Sequence, residues 1–559
     1  MNPTITELLP DDALAAFAKA IADAVLERYP DAGATNVVFE APRNLDFGDF
    51  ATNVAFGLAK VARSKPNDIA TQLIADLRAK APNVVARFSS MEAVAGFINV
   101  RLGPSGWQAL VARIIHDGSH YGRAQTNGQR ISLEFGSANP TGPLVVVQGR
   151  TLSIGDALVR AFRYCGYDVF VEWIINDAGS QLETLARSIH ARYMQHWDPS
   201  FPFPEEGYPG DYLIPLAERV VREDGAKWRD PDSGWLASFA KFGRDALVAD
   251  QRATAERFGV AYDLWQSEKE LRESGRMDED LNKLRSMGLI YEADGAQYFR
   301  TSDFGDDKDR VIIRSEGSPT YFAPDIAYHF EKLSRADRVI DILGPDHHGY
   351  IGRLKAAAAA MGFPGKLDIL IAQQITLMRG GEEVSMSKRA GNIITLDEIL
   401  DEVGVDAARF FFVMTSTESP LTFDLKLAVE QSNENPVYYV QYGHARIASV
   451  LKNAEAADVA AARVGSSLRA LKEPAELSLA RRLSELPKVV HGAIDHLAPH
   501  RLARYARDVA TDFHQFYHEC RILVEDRDVR IARLGLSIAT KTVLAQTLDL
   551  IGVSALESM

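Results

Sequence analysis

The sequence predicts a multidomain α/β protein, with a doubly wound parallel sheet in mid-chain, an α+β block before it and an all-α bundle after it. Three observations carry the prediction. The length, 559 residues, is several times the roughly 150 residues of one domain. Between residues 119 and 433 the short apolar runs ISLEF, DVFVEWII, RVIIR, RVIDILG and KLDILIA alternate with helical patterns, as in βαβ units around a parallel sheet. From residue 434 onward the pattern is helical almost throughout.

The first block, residues 1–118, opens on a helix, because Leu14, Phe17, Ile21 and Val25 share one face. Strand signals follow in NVVFE at Asn36 and AGFINVRL at Ala95. GPSGW at Gly103 and HDGSHYGRAQTNGQ at His116 punctuate its end. In the second block, residues 119–433, the five apolar runs read as buried strands. DPSFPFPEEGYPGDY from Asp198, rich in Pro, Gly and acid, reads as a loop of an insertion near residues 195–260. In the third block, residues 434–559, Leu502, Tyr505, Val509, Phe513, Phe516 and Cys520 form one stripe, which at helical spacing marks core.

Hydrophobic residues make up 46% and charged residues 25% of the chain, enough apolar surface to rule out disorder as the main state. No apolar run approaches the roughly 18 residues of a membrane-spanning helix. The acidic opening MNPTITELLPDDALAAF is not expected to be a secretory leader. Two cysteines, Cys165 and Cys520, exclude a disulfide scaffold and a four-cysteine zinc site, and fit a reducing cytoplasm. A net charge of −14 argues against a protein that coats nucleic acid, while leaving room for one folded RNA on a local patch. The charge is polarised: residues 435–559 carry a net +2 against −16 for the first 434 residues. A module tolerant of polyanions and a bundle with ordinary surface charges both fit that difference.

The first strand of the middle block, ISLEF, runs into GSANPTGPLVVVQGR and then a helix bearing Ile154, Leu158, Phe162 and Cys165, stopped by Gly166. Pro140 and Pro143 cannot continue the strand. A strand, a tight crossing and a helix N-terminus together make a site for nucleotide phosphates, because free backbone N–H groups and the helix dipole face an anion. Neither GxGxxG nor GxxxxGK[ST] occurs, which disfavours dinucleotide dehydrogenases and P-loop NTPases. Far downstream, QQITLMRGGEEVSMSKRAGN ends in a compact basic loop, and Lys or Arg on such a loop is able to close over a polyphosphate.

Together, SANPTGPL and MSKRAGN resemble the class I aminoacyl-tRNA synthetases. Over essentially the whole chain the resemblance is to the arginyl-tRNA synthetases. It is carried by APRNLDFGDFATNVAFGLAK, AGFINVRL, EWIINDAGSQ, YFAPDIAYHFEK, LGPDHHGYIGRLKAA, NENPVYYVQYGHARI and the ending ARLGLSIATKTVLAQTLDLIGVSALESM. The resemblance implies an additional N-terminal domain that contacts the tRNA elbow (1–118), a Rossmann-like catalytic domain (119–433) and a helical anticodon-binding domain (434–559). It implies an arginine–tRNA ligase, which activates arginine with ATP to arginyl-adenylate and passes it to the 3′ end of tRNA(Arg). It further implies Mg²⁺ arriving with ATP, no resident metal, and a cytoplasmic monomer without membrane contact.

Residue by residue, the matching motifs imply that arginine is read by Glu134, Ser137, Asn139, Glu268, Tyr321, Asp325 and Gln373, acids and polar groups that suit a planar guanidinium. ATP would lie on Pro140, Thr141, Gly142, Val145, Val147, Gln148 and Gly149, with Gly344, Asp346, His347 and His348 beside ribose and adenine. Met386, Ser387 and Lys388 would cover the phosphates, with Lys388, Ser387 and Gln148 as the catalytic groups. DHH at Asp346 lacks further spaced ligands nearby, so it does not read as a metal site. Tyr438, Tyr442, Arg446 and Met559 would touch tRNA. For Tyr438, Tyr439, Tyr442, His444 and Arg446, stacking platforms and plain domain core remain open alternatives.

One departure stands out. Where the family has two histidines flanking a glycine after NPTG-x-L, this chain has Val145, Val146, Val147 and Gln148. Valine donates no hydrogen bond, and Gln148 keeps one neutral donor group. Losing such a donor costs about 10²–10³ in rate. Ser385 also stands where the family loop usually begins with lysine. Two readings follow: an active ligase in which other donors compensate, or an impaired paralogue that binds tRNA or arginine without efficient charging. The coherent apolar run and the otherwise intact motifs favour the active ligase. A purely RNA-binding module is disfavoured by the MSKRAGN loop.

Overall fold

Five parallel strands form the central sheet: β1 (Arg130–Phe135), β2 (Asp168–Ile175), β3 (Leu264–Ser267), β4 (Arg338–Leu343) and β5 (Leu367–Ile371). The spatial order is β5-β4-β1-β2-β3. The computed structural model describes residues 9–42, 44–230, 234–384 and 394–559. Strands progress outward in opposite directions from the β1–β4 pair, so the order reverses there. The crevice at the carboxyl ends of such a pair is where doubly wound sheets bind ligands. The register aligns three acids across it, with Glu134 opposite both Asp341 and Glu172.

Helix α1 (Val146–Tyr164) follows β1 and is buried along most of its length. It ends where the sequence predicts: Gly166 adopts φ +84°, and a Cβ there would lie 2.1 Å from the Gln125 carbonyl oxygen. RVIIR is a strand, Arg310–Ile313, but belongs to a separate three-stranded antiparallel sheet with Ile290–Ala293 and Ala296–Phe299. Its half-exposed pattern is that of an antiparallel strand with one wet face, unlike the near-continuous burial of β1. LWQS, which supplies β3, was too short to stand out.

Between β2 and β3 the chain builds a three-helix package from Gln181–Trp197, Leu213–Asp224 and α2 (Trp235–Arg257). Its own core includes Leu185, Ile189, Tyr193, Leu213, Phe239 and Leu247. Before the sheet, three helices (Pro10–Arg28, Val54–Ala62, Pro66–Lys80) cover an antiparallel sheet of Phe50–Thr52, Phe97–Leu102 and Phe88–Val94. NVVFE, expected as a strand, makes only a single bridge between Glu40 and Ala51.

Helix α3 (Phe322–Arg335) precedes β4. The last part is helical and includes α4 (Pro436–Asn453), α5 (His500–Glu519) and α6 (Arg527–Leu550). The predicted stripe from Leu502 to Cys520 is buried at every position. Arg409 ties this bundle to the sheet. Its buried guanidinium donates to Ile551 O at 3.0 Å and Phe258 O at 2.8 Å, and pairs with Asp156 of α1. Gly552, at φ +66°, has no room for a Cβ against that guanidinium. No helix among the described residues is long and apolar enough to cross a membrane.

Candidate active site

At the switch point lies a cavity of about 380 Å³, lined among others by Glu134, Ser137, Asn139, Val147, Gln148, Glu268, Tyr321, Asp325, Gly344 and His347. Residues read from four separate motifs therefore converge. Glu134 ends β1, the crossing after it supplies Ser137 and Asn139, and the first turn of α1 supplies Val147 and Gln148. Glu268 opens a helix after β3, Tyr321 and Asp325 open α3, and Gly344 with His347 follows β4.

The floor is an ionic network. Lys332, with no exposed surface, donates to Glu134 at 2.8 Å and also bonds Asp341. His329 sits 2.8 Å from Asp341 through Nε2 and 2.7 Å from the Asp325 carbonyl through Nδ1. Both partners are acceptors, so satisfying both requires a proton on each ring nitrogen. Consistently, the Asp341 hydrogen bond lifts the His329 pKa despite the opposing effect of burial. Burial likewise penalises the Lys332 ammonium, but Asp341, Glu134 and Glu172 outweigh it and hold the pKa above the usual lysine value. Asp341 is buried with them, which would raise its pKa, but Lys332 and His329 hold it below the usual carboxylate range.

Asp325 differs. Burial, with Glu268 and Glu134 nearby, raises its carboxyl to about 6. Among the described residues nothing donates a hydrogen bond to it, so a carboxylate short of partners faces the cavity. Glu268 accepts from Arg272 at 2.5 Å. Ser137 donates to Glu134 at 3.1 Å and accepts from the Ile174 backbone at 3.0 Å.

The altered fingerprint does not plug the crevice. Val146 is fully buried, Val145 bridges to Thr395, and Val147 alone of the three valines lines the cavity. Gln148 accepts from Val145 N at 3.2 Å through its side-chain oxygen, which caps the helix and leaves its NH₂ as a donor. Several expected contacts lie elsewhere. Gly149 packs on Leu396 and Phe412, where a Cβ would come within 2.7 Å of Leu396. Pro140, Thr141, Gly142, Asp346 and Gln373 are not among the lining residues. Gln373 turns its backbone to Arg150 and Thr417 instead. Met386, Ser387 and Lys388 lie outside the described residues, as does the side chain of His348.

The motifs missed the residues that hold the site. Gln251 of α2, 1% exposed, donates to Asn139 O at 3.0 Å and Gly142 O at 2.8 Å, and Tyr212 donates to Thr141 O at 2.6 Å. Asp177 accepts from Ser267 and Arg244, both at 2.8 Å, and fixes the turn that presents Glu268. Tyr328, His329 and Lys332 do have a signal, because with the motif residue Asp325 they make a polar stripe at spacings of three, one and three. So does Asp341, an acid inside an apolar strand. Nothing local marks Gln251, more than a hundred residues from the carbonyls it holds.

On α4, Tyr438 and Tyr442 stack with centroids 5.7 Å apart. Arg446 lies over Tyr442 at 4.5 Å and over Tyr517 at 4.9 Å. His444 is buried and bonded to Leu556 O at 2.7 Å, which makes it core. Met559 is 54% exposed. No cluster of three or more potential metal ligands occurs among the described residues.

Three family descriptions match the chain: the arginyl tRNA synthetase N terminal domain over 12–102, the class I (R) tRNA synthetase catalytic domain over 241–431, and the DALR anticodon binding domain over 440–559. The chain is 44% identical over 526 residues to the arginine–tRNA ligase of Syntrophotalea carbinolica, covering 93% of this chain and 94% of that one. It is 44% identical over 558 residues to that of Desulforudis audaxviator, 98% of each. In fold it resembles Thermus thermophilus arginyl-tRNA synthetase, with a TM-score of 0.75 at 24% identity over 98% of this chain and all of that one.

Proposed function

The chain belongs to the arginyl-tRNA synthetase family, ligases that charge tRNA with arginine at the expense of ATP, and from that premise we propose how its residues divide the work. Arginine lies in the acidic half of the cavity. Its guanidinium meets Asp325, with Glu134, Glu268 and Tyr321 around it, and Asn139 and Ser137 take the polar end. The carrying observation is Asp325: a carboxylate starved of donors in an acid-lined cavity is matched by a planar cation that brings several N–H groups.

ATP occupies the other half, between Val147 and Gln148 on the helix N-terminus and Gly344 and His347 across the crevice. Phosphoryl-type transfer depends on positioning and charge neutralisation. The free α1 N–H groups and the Gln148 NH₂ supply donors here, and Lys388, with Ser387 and Met386, is assigned to the phosphates from its place in the MSKRAGN motif. Mg²⁺ bound to the nucleotide would add charge neutralisation at the phosphates. The arginine carboxylate attacks the α-phosphorus and pyrophosphate leaves. The 3′-terminal hydroxyl of tRNA then displaces AMP.

Tyr438, Tyr442 and Arg446 form a stacked, half-buried stripe that suits splayed anticodon bases, with Met559 at its end of the chain. Exposed Phe47 and Phe97 rim a groove in the first block that suits the tRNA elbow. The division into 1–118, 119–433 and 434–559 follows these roles. Two buried free cysteines support a reducing cytoplasm, and we take the working unit as the monomer. The test is arginylation of purified tRNA with ATP, arginine and the purified protein, beside Lys388→Ala. The proposal expects robust charging by the parent and a loss of about 10²–10³ in kcat for the variant. A variant as fast as the parent would overturn the assignment of Lys388.

A further inference from the structure

The network beneath the cavity has a part that arginine binding alone does not demand. Four carboxylates lie at or under the crevice: Glu134, Asp341, Asp325 and Glu268. Glu268 is paired with Arg272. Glu134 and Asp341 share Lys332 between neighbouring strands β1 and β4, and Asp341 also takes His329. Asp325 is left over. We propose that Lys332 is a positioning residue of the arginine site. It holds Glu134 as a fixed acceptor and offsets the negative charge of the floor, so that Asp325 is the carboxylate left to pair with the incoming cation. This inference rests on the proposal that Glu134 faces the arginine.

Geometry argues for it. Lys332 has no exposed surface, and its ammonium lies 5.0 Å from the Tyr328 ring centroid. It therefore cannot reach substrate or solvent and acts only through the carboxylates it bonds. Glu134 is gripped from two sides, by Lys332 on one oxygen and Ser137 on the other. A carboxylate gripped this way is fixed in place and keeps lone pairs for one further donor. Without the ammonium, two acids on adjacent strands would face each other in register, and like charges so close do not both stay ionised near neutrality. The other groups facing Lys332 and its partners are Glu172, itself paired with Arg335 and bonded to Tyr328, and His329, Asp325 and Glu268. Apart from Lys332, the cation next to Asp341 is the His329 imidazolium.

The experiment measures arginylation against arginine concentration at saturating ATP and tRNA, from pH 5.5 to 9. It compares Lys332→Met, Lys332→Arg and the double variant Lys332→Met with Asp341→Asn. The double variant leaves only one carboxylate stranded, which guards against a single variant that fails to fold, and circular dichroism checks each. The expected result is a KM for arginine raised about tenfold or more at pH 7, with kcat changed far less. The acid limb of kcat/KM should move up by about one to three pH units, and Lys332→Arg should recover part of both. Folded variants whose KM and acid limb match the parent would overturn the proposal, as would equal loss of kcat and kcat/KM with no movement of the limb. Glu134→Gln is run beside them. An unchanged arginine KM in that variant would instead defeat the premise that Glu134 meets the substrate, and is distinguishable because it does not depend on Lys332.

Discussion

Asp325→Asn should make the free protein more stable and the enzyme worse, and the structure sets the size of both effects. Burial raises this carboxyl from 3.8 to about 6. A carboxyl whose pKa is higher in the fold than in the unfolded chain penalises the fold wherever it is ionised. The penalty is complete above about pH 6, fades as pH falls toward 3.8, and is gone below that. At pH 7 it amounts to about 3 kcal/mol, and at pH 5 to about half as much. Asparagine removes the penalty and adds an unpaired amide at about 1 kcal/mol, for a net gain of about 1–2 kcal/mol at pH 7 that disappears by pH 4–5. Arginine binding should move the other way. Deleting one member of a partly buried charge pair costs at least about 2 kcal/mol, or about 30-fold in KM. Denaturant melts of parent and variant at pH 7 and pH 5, with and without arginine, read the first effect, and arginylation kinetics read the second. A variant no more stable than the parent at pH 7, or one whose arginine KM stays within about threefold, would refute the account of Asp325 as a penalised carboxylate kept for substrate.

Three further outcomes are expected. Gln148→Glu keeps the acceptor for Val145 N but replaces the NH₂ donor with negative charge, so kcat should fall about 10²-fold or more with little change in arginine KM; steady-state charging at varied ATP checks it. Gln251→Leu strands the carbonyls of Asn139 and Gly142, and arginine KM should rise by about 5- to 150-fold, corresponding to about 1–3 kcal/mol, while tRNA KM is unmoved. Tyr442→Ala removes one face of the stack, so tRNA affinity should drop by about 1–3 kcal/mol, read by filter binding at two salt concentrations, with arginine activation unaffected.

Much of the architecture was legible because burial writes itself into local pattern. Strands covered on both faces, such as Ile131–Phe135, read as continuous apolar runs, and α5 shows its stripe. Where burial is partial the pattern blurs: RVIIR reads as a strand of the central sheet but lies in another, and NVVFE at Asn36 reads as a strand but makes only a bridge. The site divides along the same line. Glu134, Ser137, Asn139, Glu268, Tyr321 and Asp325 come from motifs and meet in one cavity. Gly149 carries the same motif but serves packing, which needs knowledge of Phe412 across the fold. Gln251 and Tyr212 act through partners brought near only by tertiary structure, and no spacing rule reaches them; Lys332 shows only a polar stripe along its helix, which does not say that it meets Glu134 and Asp341.

The grip of Arg409 gives the residues after Leu550 a structural role. Helix α1 starts at the crevice, and ten residues on, about 15 Å along its axis at 1.5 Å per residue, it offers Asp156 to the same guanidinium that holds the Ile551 carbonyl. One stiff helix thus runs from the crevice to a guanidinium that holds the closing turn of the C-terminal bundle. Clipping the chain after Leu550 would not trim a tail. It would pull the keystone's seat away and leave a guanidinium sealed in protein without its carbonyl.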